Sequence, residues 1–201
     1  VLERGLTVRA MVRRIPDHPI EGVEYAVGNL GDPDFVDGAV KGANTVIHCG
    51  AVVKGTEEDH QAGTIRGTQN VVDSALAHNV SQVVYISSMS VIDNLGLDGK
   101  VVDEAVGTEP RSAERGAYTR AKLEAEGIVT NAVESKSLPA VVLRPGAIIG
   151  GGVALAGLGG AMGGGQSVGR PSAPTRRCCS AARRLREGDG RNCWSAPVTR
   201  R

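Results

Sequence analysis

The sequence predicts an α/β fold built on a mostly parallel sheet. Short apolar, β-branched runs alternate with longer segments of helical period through residues 1–149, the pattern of repeated βαβ units. The runs are apolar enough to suit a sheet covered on both faces. Charge then marks where this region ends. Residues 1–149 carry 14 Lys+Arg and 20 Asp+Glu, whereas 150–201 carry nine Arg, no Lys and two acids. Twelve of the 28 glycines and three of the four cysteines also fall in the second segment. Such asymmetry marks a boundary, so one domain is expected over 1–149 and a Gly/Arg-rich tail over 150–201.

Each element has its own signal. Residues 6–12 (Leu-Thr-Val-Arg-Ala-Met-Val) alternate as a strand with one better-buried face, and 23–30 form a second strand. Asp32-Pro33-Asp34 opens a helix, with Asp32 as N-cap and Pro33 in the first turn, and Gly42 stops it. Residues 45–49 (Thr-Val-Ile-His-Cys) read as a buried strand. A long helical stretch runs over 57–78, with Val71, Val72, Ala75 and Leu76 on its apolar face. Residues 82–88 (Gln-Val-Val-Tyr-Ile-Ser-Ser) are the clearest strand, 117–133 are helical, and 139–143 form a last strand closed by Arg144-Pro145-Gly146.

Global properties exclude several functions. A net charge of +1 over 201 residues supplies no electrostatic drive towards nucleic acid or an anionic membrane. No apolar run reaches the ~18 residues a membrane span needs. The opening Val-Leu-Glu-Arg-Gly-Leu lacks the layout of a secretory signal, and Cys49, Cys178, Cys179 and Cys193 are too irregular for a disulfide framework. A soluble, cytoplasmic protein is expected. His18, His48, His60 and His78 are scattered and Cys178-Cys179 lacks paired Cys-x-x-Cys spacing, so no metal is expected. His48 and Cys49 are strand neighbours facing opposite ways, which excludes a dyad.

Three readings exist for the tail: an arginine-rich nucleic-acid segment, a disordered extension, or sequence translated out of frame. Its lack of Lys, Ile, Phe and Tyr beside abundant Gly, Ala, Arg, Ser and Cys favours the third, because GC-rich DNA read in a wrong frame yields that composition.

The chemistry lies further back. Tyr118-Thr119-Arg120-Ala121-Lys122 sets a phenol and an ammonium on one helix face. A nearby cation favours phenolate, so Tyr118 is a candidate general acid/base for a hydroxyl or carbonyl substrate. Ser87-Ser88 ends the best strand, at the sheet edge where open parallel sheets bind ligands. A hydroxyl there can donate to a substrate oxygen as charge develops.

Val84-Tyr85-Ile86-Ser87-Ser88, the Tyr118/Lys122 pair and Leu143-Arg144-Pro145-Gly146, in this order, resemble the extended short-chain dehydrogenase/reductase superfamily in its NAD-dependent epimerase/dehydratase branch. Asn29-Leu30-Gly31-Asp32 is similar to the loop after that family's third strand, and Val46-Ile47-His48-Cys49-Gly50-Ala51 to its fourth strand and cofactor-facing turn. Gly67-Thr68-Gln69-Asn70-Val71 is similar to its helix motif. The resemblance spans roughly 1–149.

It implies an NAD(P)-binding Rossmann-like, doubly wound parallel sheet and hydride transfer at a secondary alcohol or ketone. Tyr118 would be the acid/base. Lys122 would lower its pKa and bind the nicotinamide ribose, and Ser88, rather than Ser87, would polarise the substrate oxygen. Arg13 and Arg14 fall where the family reads the adenosine ribose, and a basic residue there favours NADP over NAD. Asn29 and Leu30 would lie by the adenine, Gly50, Ala51 and Val52 along the cofactor, and Pro145 near the nicotinamide. The implied substrate is a nucleotide sugar; the alternatives are a hydroxysteroid-like (3-beta) dehydrogenase or a non-catalytic NAD(P)-binding scaffold. A homodimer through the two long helices is also implied.

Against the family, the sequence lacks the first strand and Gly-rich phosphate loop. It carries Asn29 where Asp is usual and Thr64 where Asn is usual. Nothing after Gly152 is similar to the substrate-binding region. The chain is therefore expected to be a fragment that is inactive alone, with unpaired strand edges facing the missing strand.

Overall fold

The computed structural model describes residues 2–95, 97 and 99–146; the tail expected at 150–201 lies outside the described residues. Five strands form, β1 (Val8–Val12), β2 (Val23–Val27), β3 (Thr45–His48), β4 (Gln82–Ile86) and β5 (Ala140–Leu143), with helices α1 (Pro33–Val40), α2 (Glu57–His60), α3 (Gly67–Ala77) and α4 (Ala117–Lys136) between them. All strand pairs are parallel. They make two sheets, β1-β2 and β3-β4-β5, so β1 and β3 each pair on one side within the described residues. This is the break expected where a strand is lacking between them.

Local chemistry sets the helix ends. The Asp32 carboxylate accepts from the N–H groups of Asp34 (3.1 Å) and Phe35 (3.3 Å), with Pro33 in the first turn, as the sequence requires. Thr56 and Asp59 cap α2 reciprocally, the side chain of each accepting from the other's backbone N–H. α4 starts after Gly116, whose φ of 85° excludes most other residues.

The expected single helix over 57–78 is helical through 57–77, but its middle, Gln61–Arg66, is a π segment. Apolar spacing over six residues cannot separate the wider π turn from an α turn.

One core joins these parts. Val36 and Val40 of α1, Val71, Val72 and Ala75 of α3, and Ala125, Val129 and Ala132 of α4 pack with Val46, Val83 and Tyr85 of the second sheet. Strand alternation decides the rest. Val46 and His48 are buried on the helical side, while Ile47 is 57% exposed on the other. Val141 and Leu143 of β5 are also exposed, so this sheet keeps one open apolar face.

Candidate functional site

In parallel sheets the carboxyl ends of the strands are the binding edge, and the candidate residues other than Tyr118 and Lys122 follow strand ends. Arg13 follows β1, Asn29 and Leu30 follow β2, and Gly50, Ala51 and Val52 follow β3. Together they line a cavity of about 410 Å³. Gly28 and Gly50 permit its walls to close. A Cβ on Gly28 would lie 2.3 Å from the Phe35 ring, and one on Gly50 2.4 Å from the Leu30 Cδ1. The Asn29 carboxamide oxygen accepts the Gly31 N–H at 3.0 Å, and Asn70 donates to the Leu30 carbonyl at 2.8 Å. Both bonds fix the loop after β2. Arg14 does not line the cavity, whereas Met11, Phe35, Lys54, Asp59 and Gly63 do. These five carry no motif, and only the folded chain gathers them.

A second group sits at the ends of β4 and β5. The Ser87 N–H donates to the Leu143 carbonyl (2.7 Å) and the Met89 N–H to that of Pro145 (3.0 Å), tying the loop holding Ser88 to Pro145. Lys122 on α4 is 2% exposed; its ammonium donates to the Ile86 carbonyl at 2.6 Å and lies 4.6 Å from the centre of the Tyr85 ring. Tyr118 lies one turn earlier on α4 and is half-buried. Ser88 is partly accessible, and its Oγ accepts the Ser90 N–H at 3.1 Å, which leaves its hydroxyl hydrogen to donate. Ser87 is buried, so of the two hydroxyls Ser88 is the more accessible. Ser88, Tyr118, Lys122 and Pro145 do not line the cavity after β1–β3.

Burial holds the Lys122 ammonium down to about 8, and the Glu126 carboxylate opposes that shift. Glu126, itself buried, receives Arg144 through Nη2 (2.5 Å) and Nε (3.1 Å to the same oxygen). This gives the Arg of the Leu-Arg-Pro-Gly motif a structural role that its sequence position did not reveal. Buried Glu109 anchors the loop before α4. It accepts from the Arg111 N–H (3.0 Å) and the Arg115 guanidinium (2.6 Å). The first of these, aided by both arginine charges, holds its carboxyl below the usual range.

His48 is a buried partner of this framework. The Thr68 hydroxyl donates to the Thr64 carbonyl (2.7 Å) and so accepts the Nε2–H of His48 at 3.0 Å. Burial, then the Lys122 charge, pushes the imidazole down to about 4. The unfolded chain therefore binds the proton first as pH falls from about 6.5 to 4, and stability drops through that window. The loss expected from this group is about 3 kcal/mol. Urea unfolding across the window should show that slope, and His48→Gln should flatten it; equal slopes would assign the acid sensitivity elsewhere. Cys49, just past the end of β3, is exposed, whereas His48 is buried. Among the described residues no group of His, Cys, Asp or Glu is placed to hold a metal ion, and no helix is long and apolar enough to cross a membrane.

Comparison with known proteins gives this arrangement a lineage. Residues 16–157 match the family described as the 3-beta hydroxysteroid dehydrogenase/isomerase family. A 2-alkyl-3-oxoalkanoate reductase of Stenotrophomonas maltophilia (strain K279a) is 33% identical over 150 residues, which cover 72% of this chain and 44% of the reductase. The chain thus spans less than half the length of that relative. Among solved structures, a short-chain dehydrogenase/reductase superfamily protein from Agrobacterium tumefaciens with bound NAD is 28% identical, with a TM-score of 0.59 over 71% of this chain and 42% of that one. A UDP-galactose 4-epimerase, 21% identical with a TM-score of 0.60 over 71% of this chain and 48% of that one, shares the fold. With its parallel Rossmann-like sheet, this chain belongs to the 3-beta hydroxysteroid dehydrogenase/isomerase family, within the extended short-chain dehydrogenase/reductases.

Proposed function

We propose that this chain carries the nucleotide-binding and acid/base part of an NAD(P)-dependent oxidoreductase acting on a secondary alcohol or ketone. The observation that carries this is the cavity, where six of the residues expected along the cofactor converge from three strand ends. Its glycine-closed walls suit the flat adenosine end of a dinucleotide. When bound, the nicotinamide cofactor supplies the hydride acceptor or donor. Arg13, Asn29, Leu30, Gly50, Ala51 and Val52 would hold its adenosine side, and Lys122 and Pro145 its nicotinamide side. Tyr118 removes the proton from the substrate hydroxyl in oxidation and returns it in reduction. Ser88 donates to the same oxygen, and Lys122 places positive charge beside the phenol.

Two cationic side chains, Arg13 and Lys54, at the cavity support NADP over NAD, with Arg14 outside it. Adenosine 2′,5′-bisphosphate should bind about tenfold or more tightly than 5′-AMP, and Arg13→Ala should erase the difference, since a charge-assisted phosphate contact is worth roughly that ratio. Equal affinities in the wild-type chain would assign NAD.

The family match supports a hydroxysteroid-like alcohol as substrate. The likeness of fold to a UDP-galactose 4-epimerase keeps a nucleotide sugar as the second reading. Turnover of one class and not the other by the full-length protein decides between them. Residues 1–149 form the catalytic part and 150–201 a separate tail in this reading. The complete enzyme is read as cytoplasmic and dimeric through its two long helical runs, on the strength of the family resemblance.

A further inference from the structure

The π segment Gln61–Arg66 interrupts an otherwise α-helical run, and such turns recur at functional sites. Here it faces the cavity. Gly63 lines the cavity beside Val52, and a Cβ on Gly63 would lie 2.6 Å from the Val52 Cγ2. The next residue, Thr64, is fully buried, and its Oγ1 accepts the Val52 N–H at 2.9 Å. Four residues on, Thr68 accepts from His48 at 3.0 Å while donating to the Thr64 carbonyl at 2.7 Å. His48 is the last residue of β3 and Val52 lies four residues later. Both ends of the turn that carries Gly50 and Ala51 are therefore bonded to threonines one helical turn apart.

We propose that Thr64 is a positioning residue for nucleotide binding: its hydroxyl, presented by the π turn, fixes the backbone of the Gly50–Val52 turn as one wall of the cavity. This rests on the nucleotide reading of that cavity. Two facts separate it from ordinary packing. The bond is made to a backbone N–H, so it fixes main-chain direction and not only side-chain contact. A second polar bond, from His48 to Thr68, ties the other end of the same turn to the same helical run, so the turn has little freedom left to relax. Val52 would otherwise carry a backbone donor at the cavity wall, free to turn towards water or ligand. A small displacement of a preformed wall weakens binding strongly.

The test uses Thr64→Val, which keeps the shape and loses the acceptor, and Thr64→Ser, which keeps the hydroxyl. Affinity for 5′-AMP and for adenosine 2′,5′-bisphosphate is measured by calorimetric titration, with hydrogen exchange followed at the Val52 amide. The expected result is a loss of about tenfold or more in affinity for Thr64→Val, faster exchange at Val52, and near wild-type values for Thr64→Ser. If Thr64→Val stays folded by circular dichroism and binds both nucleotides as wild type does, the positioning role is overturned and the nucleotide reading stands. Should Thr64→Val fail to fold, Thr64→Ser decides: an affinity loss there with an unchanged Val52 exchange rate overturns the role, and retained affinity with retained protection supports it. If the wild-type chain binds neither nucleotide, the reading of the cavity falls and takes this role with it.

Discussion

Replacing Tyr118 with Phe is expected to slow the proposed alcohol oxidation by about 10²–10⁴-fold, the usual contribution of a positioned acid/base. Nucleotide affinity should stay near the wild-type value, because Tyr118 does not line the cavity that gathers Arg13, Asn29 and Gly50. The fold should be unaffected, since the ring is half-buried and Phe preserves it. The assay needs the full-length protein with a secondary alcohol and NADP, and reads kcat against KM. A fall in kcat with KM unchanged marks a group acting in the transition state. Undiminished turnover would remove Tyr118 from the mechanism, and no turnover by the wild-type protein would favour a non-catalytic nucleotide-binding scaffold.

The second large effect concerns stability. Glu126→Gln should destabilise the fold by about 3 kcal/mol, the lower end for breaking a buried ion pair. The lower end applies because the Arg144 side chain keeps 26% of its exposure. The variant also removes the Glu126 charge that raises the Lys122 pKa against burial. Lys122 should then lose its proton at a lower pH than in the wild type. The double variant Glu126→Gln/Arg144→Met should recover much of the loss, because the stranded guanidinium is gone. Urea unfolding of the three proteins measures this, and a Glu126→Gln change below about 0.5 kcal/mol, the scale of ordinary surface substitutions, would show that the pair does not hold α4 to the end of β5.

Much of this architecture is legible in the sequence itself. The strands read at 45–49 and 82–88 stand out because β-branched residues cluster between turn residues, and Asp32-Pro33 sits where a helix start needs it. Cavity residues at strand ends, such as Asn29 and Gly50, are read from the family resemblance, and the parallel strand order places them on one edge. Lys54 and Asp59 are not read this way. They reach the cavity from the segment after β3, whose path depends on tertiary contacts no local pattern encodes. The pairing of Arg144 with Glu126, 18 residues apart, is equally invisible to a reading of helix faces, as is the π turn that turns Thr64 towards Val52. Arg14, read beside Arg13 for the adenosine ribose, is not among the residues that line the cavity.

The break between β1 and β3 has a consequence for how the molecule responds to ligand. Among the described residues no backbone ladder joins the two sheets, yet the cavity takes Met11, Val12 and Arg13 from one and Gly50, Ala51 and Val52 from the turn after a strand of the other. A nucleotide that binds there touches both sheets and is bound only when they are in register. It therefore acts as a cross-brace, adding about 2.7 kcal/mol at a hundred times its dissociation constant. Among the described residues no strand bridges that junction, so ligand binding and the mutual alignment of the two sheets would be coupled there.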